Sequence, residues 1–365
     1  MKISIAERLH PFSHTAGTLF LIPHTSWSVQ VFPTRLCFSD LEGQEASFFL
    51  SFDFEGPIRE FTAELNLEQN LLCVFGKTEK GYMRYKLQCK EEGIWLEMEK
   101  VPLEKVSVYR SLPLAEFSLS KGEAKCICAF KGECLPTLER LSLGMHKAQD
   151  WDLVRRRLDC KEIFPHWLRL SQLSPAQISP TEPIGNFSLL DVCRKKIEQR
   201  DKEGILEAFE HLFLAAFSGV LVPRSTDTDH QGIASNAEEY SQGTCPLPLL
   251  TESGKLIRSL FFRENEGILS LLPCLPTPFH SGRMVGIRIA SNTLLSLEWS
   301  KKALRRVIIE PGSTEEIQLQ LPKGTRSFRV ISARGSKKVV DVDSKGRATL
   351  PIEMGKTLQL DRLLD

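Results

Sequence analysis

No stretch of this sequence reaches the roughly 18 consecutive apolar residues that a bilayer-spanning helix needs, so helical membrane spans are not expected. Charge of one sign is scarce as well. With 47 Lys and Arg against 46 Asp and Glu the formal net charge is +1, and no broad field steers the chain to nucleic acid or to an anionic membrane surface. The opening MKISIAERLH carries Glu7 and Arg8 where a secretory leader needs its apolar core, and the expected location is cytoplasmic. Also missing are a Gly-rich phosphate loop, a serine nucleophile elbow and an H-E-x-x-H motif, so no cofactor is expected. The 10 cysteines contain no paired C-x-x-C. Cys126, Cys128 and Cys134 cluster, but positions two apart on a strand merely share a face, and no nearby His completes a tetrahedral site. Reduced thiols and no metal centre are expected.

What is present is a core-forming composition. Apolar residues make up 42% and charged residues 25% of 365 residues, which is more chain than one hydrophobic core usually organises, at roughly 250–300 residues. Residues 18–109 read as eight short runs rich in β-branched and aromatic residues, separated by Gly and Pro turn signals. Alternation is clearest at 81–88, where Tyr82, Arg84, Lys86 and Gln88 oppose Met83, Tyr85 and Leu87, the pattern of a sheet with one wet face. Helical spacing follows at 138–157 and 163–173, then at 189–222 with a break near Gly204, and again at 253–262. Strand patterns return from 268 to the end. The chain is therefore expected to be mostly β with a helical middle, an α+β multidomain protein in which two antiparallel β-sandwich domains, 1–137 and 267–365, flank a helical region at 138–266. That middle region includes a polar loop at 223–249. Trp95, Trp167 and Trp299 lie in apolar contexts and read as core or interface residues rather than sugar platforms, while Glu298 faces solvent by alternation.

Residues 267–309, GILSLLPCLPTPFHSGRMVGIRIASNTLLSLEWSKKALRRVII, hold several features in a fixed order. These are a strand ending Leu271-Leu272-Pro273, the Leu275-Pro276 repeat, a small-residue turn at Ser281-Gly282, then Val285-x-Gly-Ile-Arg and Leu297-Glu298-Trp299. The segment resembles the junction into the C-terminal β-sandwich of family 95 glycoside hydrolases, the α-L-fucosidase family. The resemblance implies an N-terminal sandwich, a helical linker, a barrel of twelve helices and a C-terminal sandwich, with inverting hydrolysis of a fucosyl bond by carboxylate and asparagine residues inside the barrel. Two departures matter. Twelve helices with their connections need about 200 residues, more than residues 138–266 supply. The family's Asp-Gly-Asn-Phe-Gly motif is replaced by PLPLLTESGKLIRSLFF, and no catalytic residue carries over.

Two segments are candidates for chemistry. In Arg224-Ser-Thr-Asp-Thr-Asp-His-Gln the carboxylates of Asp227 and Asp229 are the expected acid and base, with Arg224, His230 and Gln231 binding a sugar. Glycoside hydrolysis by inversion needs one carboxyl group to protonate the leaving oxygen and another to activate water, about 6.5–9.5 Å apart. The bland alternative is a solvated loop whose Asp and Thr side chains cap turns. The second candidate spans 144–157: on one continuous helix His146 and Asp150 would share a face and Trp151 would offer a ring for a sugar to stack on. Against that stands a helix start with Asp150 or Asp152 on the dipole and Trp151 packed inward. Two function classes follow. The first is a non-catalytic scaffold that binds a carbohydrate, a protein partner or further copies of itself; the other is an active glycoside hydrolase with its site at 224–231.

Overall fold

The computed structural model describes residues 2–130, 139–145, 147–175, 184–228, 244–332 and 335–364, with the side chain of residue 364 excepted. Residues 12–129 form two six-stranded sheets. One runs in the order Phe12–Ser13, Arg59–Asn66, Leu71–Thr78, Gly81–Lys90, Gly93–Lys100 and Ala124–Ala129. The other runs Leu114–Ser120, Lys105–Ser111, Phe48–Phe52, Arg35–Asp40, Trp27–Phe32 and Thr18–Leu21. All pairings in both sheets are antiparallel. Alternation decides the faces: in Gly93–Lys100 the side chains of Ile94, Leu96 and Met98 are wholly buried between the sheets, as period two requires. Trp95 falls on the outer face instead, with Lys90 Nζ 5.2 Å from its ring centre. Its apolar neighbours in sequence belong to the opposite face, so of the core and interface readings the core one does not hold for this Trp.

The C-terminal sandwich pairs a seven-stranded sheet with a four-stranded one. The larger begins with Arg140–Ser142, a strand that precedes all the helices and pairs with Gly282–Arg288. Those residues were expected to be helical. Their apolar spacing is also compatible with a short strand, and the free edge of Gly282–Arg288 supplies hydrogen bonds that a lone helical turn would lack. Trp299 is buried here and donates its Nε1–H to the carbonyl of Phe279 at 3.1 Å.

Between the sandwiches lie α1 (Trp151–Arg157), α2 (Cys160–Gln172), α3 (Phe187–Glu198), α4 (Gly204–Ala216) and α5 (Leu247–Phe261). Asp150 caps α1 by accepting from the amides of Asp152 and Leu153, and Asp159 caps α2 through the amide of Lys161; each satisfies amides a helix start leaves open. The break between α3 and α4 falls at the expected Gly204. Helix α5 begins earlier than expected because Pro248 sits in its first turn, where a missing N–H costs nothing. Gly254 lets α5 cross α2 closely: a Cβ there would lie 1.9 Å from Ser171 Oγ. Gly219 does the same at the first sandwich. Its φ is +50°, and a Cβ would stand 2.2 Å from the carbonyl oxygen of Leu19, which accepts from Val220 N–H at 2.8 Å.

The space between the helices is filled by rings. Trp167 lies 4.6 Å from Phe217 and 5.8 Å from Phe209, centre to centre, and Phe164 lies 5.0 Å from Phe209. Phe164 also reaches Phe279 at 5.7 Å, and Phe261 stacks on Trp299 at 5.4 Å, so the cluster runs on into the C-terminal sandwich. Most of these contacts are edge-to-face, the arrangement ring quadrupoles favour. Among the described residues no helix is long and apolar enough to cross a membrane.

Candidate functional site

The loop after α4 begins as a clamp. The last carbonyls of a helix lack partners within it, and Arg224 supplies them, donating from Nε to Ala215 O at 2.7 Å and from Nη2 to Leu214 O at 3.0 Å. Its Nη1 also reaches Thr228 Oγ1 at 3.3 Å, and Nη2 lies 3.4 Å from Asp227 Oδ1. The Arg224 and Asp227 side chains are 12% and 3% exposed, so this ion pair faces protein rather than solvent. Asp229, His230 and Gln231 lie outside the described residues.

In the second candidate segment the chain is not one helix. Gly144 adopts φ +80° and α1 starts only at Trp151, so the helical spacing of His146 and Asp150 does not apply. His146 itself lies outside the described residues. Asp150 is occupied as an N-cap, and Trp151 is 1% exposed, with its ring set edge-on to His166 at 5.5 Å and to Phe213 at 6.3 Å.

The same segment does, however, wall a cavity of about 190 Å³ that no local pattern announces. It opens where the N-terminal strap, residues 5–9, meets the connection 141–149, the start of α2 and Arg283. Gln149 stitches these parts together. Its Oε1 accepts from His10 N–H at 2.6 Å, its Nε2 donates to Arg8 O at 2.5 Å, and its carbonyl accepts from Phe12 N–H at 3.0 Å. Glu68 fixes the strap from below, accepting from the amides of Arg8 and Leu9 at 3.0 and 3.1 Å and from Arg140 Nη2 at 2.6 Å.

Three ionisable groups of α2 line the cavity, Lys161, Glu162 and His166. Glu162 is buried yet charged: against the upward push of burial, hydrogen bonds from Arg157 and Lys147 hold its carboxyl below the ordinary range. Arg157 grips it with Nη2 at 2.6 Å and Nε at 2.9 Å, and Lys147 Nζ lies at 3.2 Å. His166 is fully enclosed, and burial pulls its pKa down to about 4 despite the nearby Glu162 carbonyl and carboxylate. Its Nδ1 lies 2.8 Å from Glu162 O and its Nε2 3.0 Å from Gln149 Oε1. Both oxygens are acceptors, so the neutral ring satisfies one of them. Arg8, Lys147, Lys161 and Arg283 line it as well, four cations against the single carboxylate of Glu162. None of these was singled out from sequence; Glu162 and His166 at i, i+4 on a helix were the one local hint. Among the described residues no group of His, Cys, Asp and Glu is placed to hold a metal ion.

Residues 264–360 match the family model described as glycoside hydrolase family 95, C-terminal domain. A search of curated proteins finds no match. Among solved structures, Ara127N-Se, a GH127 beta-L-arabinofuranosidase from Geobacillus stearothermophilus T6, aligns with 33% of this chain and 19% of its own, at 17% identity and a TM-score of 0.20. CelM2, a bifunctional glucanase-xylanase protein from a metagenome library, aligns with 23% of this chain and 16% of its own, at 14% identity and a TM-score of 0.14. The chain thus spans under a fifth of the length of either protein.

Proposed function

We propose that this chain, whose residues 264–360 match the C-terminal domain of family 95 glycoside hydrolases, is a non-catalytic carbohydrate-binding scaffold. The observation that carries this reading is the ring-filled space between the helices among the described residues. Where a barrel would enclose a sugar, the rings of Phe164, Trp167, Phe209, Phe213 and Phe217 meet one another. A hydroxyl-rich ligand needs converging polar groups in an open concavity, and those stand at the cavity beside α2. Asp227, the described member of the expected carboxylate pair, is engaged with the guanidinium that caps α4.

The test is a glycan array run beside a release assay with 4-nitrophenyl α-L-fucoside. Retention of a glycan without release of nitrophenol is the expected result. Turnover above a heat-denatured control would restore the hydrolase reading, and an array without any retained glycan would remove the carbohydrate from this one.

A further inference from the structure

We propose that the cavity between the N-terminal strap and α2 binds a uronic acid, with the ring in the cavity and the carboxylate on its cationic lining. This rests on the carbohydrate-binding reading for the sugar and on the charge pattern for the acid. Leu9, Leu141, Leu143, Met145 and Pro165 give the cavity apolar lining against which a ring's C–H face can lie. The lining is also basic. Glu162 would repel an anion if it stood alone, but Arg157 and Lys147 already bind both of its oxygens. Arg283 is likewise shared with Glu298 at 2.9 Å. That leaves Arg8 and Lys161, both lining the cavity, whose side chains make no ion pair with any described residue. A carboxylate met by either cation would gain charge-assisted hydrogen bonds, roughly twice as strong as neutral ones. His166 adds no charge, and Ser142 offers a hydroxyl to the ring.

The volume limits the ligand. About 190 Å³ is room for a single sugar residue, so a uronosyl end group or a free monosaccharide is the ligand size proposed.

Isothermal titration of the full chain with glucuronate, glucose and acetate separates the parts of the claim. Glucuronate should bind, more tightly than glucose or acetate. Lys161→Gln and Arg8→Gln, both at exposed or half-exposed side chains, should each weaken it about tenfold, as expected for loss of a charged hydrogen bond. Lys255→Gln, on the exposed face of α5, should leave it unchanged. Circular dichroism of each variant would establish that the fold is kept. Equal binding of glucose, or glucuronate binding indifferent to both α2 and strap substitutions, would overturn the inference; so would acetate matching glucuronate, or no binding of any of the three. Those results leave the scaffold reading to the glycan array, where neutral sugars retained without hydrolysis would still support it.

Discussion

Replacing Asp227 by Asn distinguishes a structural carboxylate from a catalytic one. Asn keeps the shape and one acceptor oxygen but removes the charge beside Arg224. Breaking a fully buried ion pair costs about 3–5 kcal/mol when the remaining charge has no other partner. Here the pair distance is 3.4 Å, longer than a strong charged contact, and Arg224 retains the carbonyls of Leu214 and Ala215. The expected loss is therefore about 1–2 kcal/mol for Asp227→Asn. Arg224→Met also strips the end of α4 of its donors and should cost about 2–4 kcal/mol. Urea unfolding followed by tryptophan fluorescence reads this layer directly, because Trp151 and Trp167 are buried in it. Both variants should lower the midpoint without changing the slope. A midpoint unchanged by Asp227→Asn, together with loss of a measurable glycosidase activity, would refute the clamp and identify the carboxylate as chemical.

Three further outcomes follow from the packing and the charges. His166 has a folded pKa of about 4, below its ordinary 6.5, so the unfolded chain binds more protons between these values. Its contribution to stability is complete above about pH 6.5 and is lost as pH falls, reaching about 3 kcal/mol near pH 4; denaturation midpoints of His166→Gln should fall less steeply over that window than those of the parent. Gly254→Ala should destabilise by about 1–3 kcal/mol through its collision with Ser171, and Ser171→Gly in the same chain should recover much of this, as a double-mutant cycle in urea would report. Trp167→Ala should cost about 3–5 kcal/mol, since it removes a wholly buried ring and the 2.7 Å bond from Nε1 to Ser253 Oγ; thermal unfolding would reveal it, and a shift no larger than that of a surface substitution would contradict the packing described.

The layers were legible because period alone assigns them. Met83, Tyr85 and Leu87 against Tyr82, Arg84 and Lys86 reads as one buried and one wet face, and that is how the strand lies. The break between α3 and α4 was equally plain, since Gly204 interrupts an otherwise helical spacing. What failed was local reading where tertiary partners decide. Arg140–Ser142 takes its conformation from a strand far along the chain, and Trp95 takes its environment from Lys90 across a hairpin. The cavity was invisible for the same reason. Arg8, Gln149, Lys161 and Arg283 come from four separate segments, each unremarkable by itself, and tertiary contacts such as those of the Gln149 side chain with the backbone of Arg8 and His10 bring them together.

The early strand at 140–142 has a consequence for how this protein is made. It leaves the ribosome before any helix and cannot pair until Gly282–Arg288 has been synthesised. Through that interval the nascent chain carries an unpaired strand, and the C-terminal sandwich closes as a late step that captures the helical layer in between. A fragment cut to residues 264–360 would lack this strand and present the bare edge of Gly282–Arg288 to other chains, an invitation to edge-to-edge aggregation. Recombinant versions of the C-terminal part should therefore carry residues 139–143 by a linker or a circular permutation.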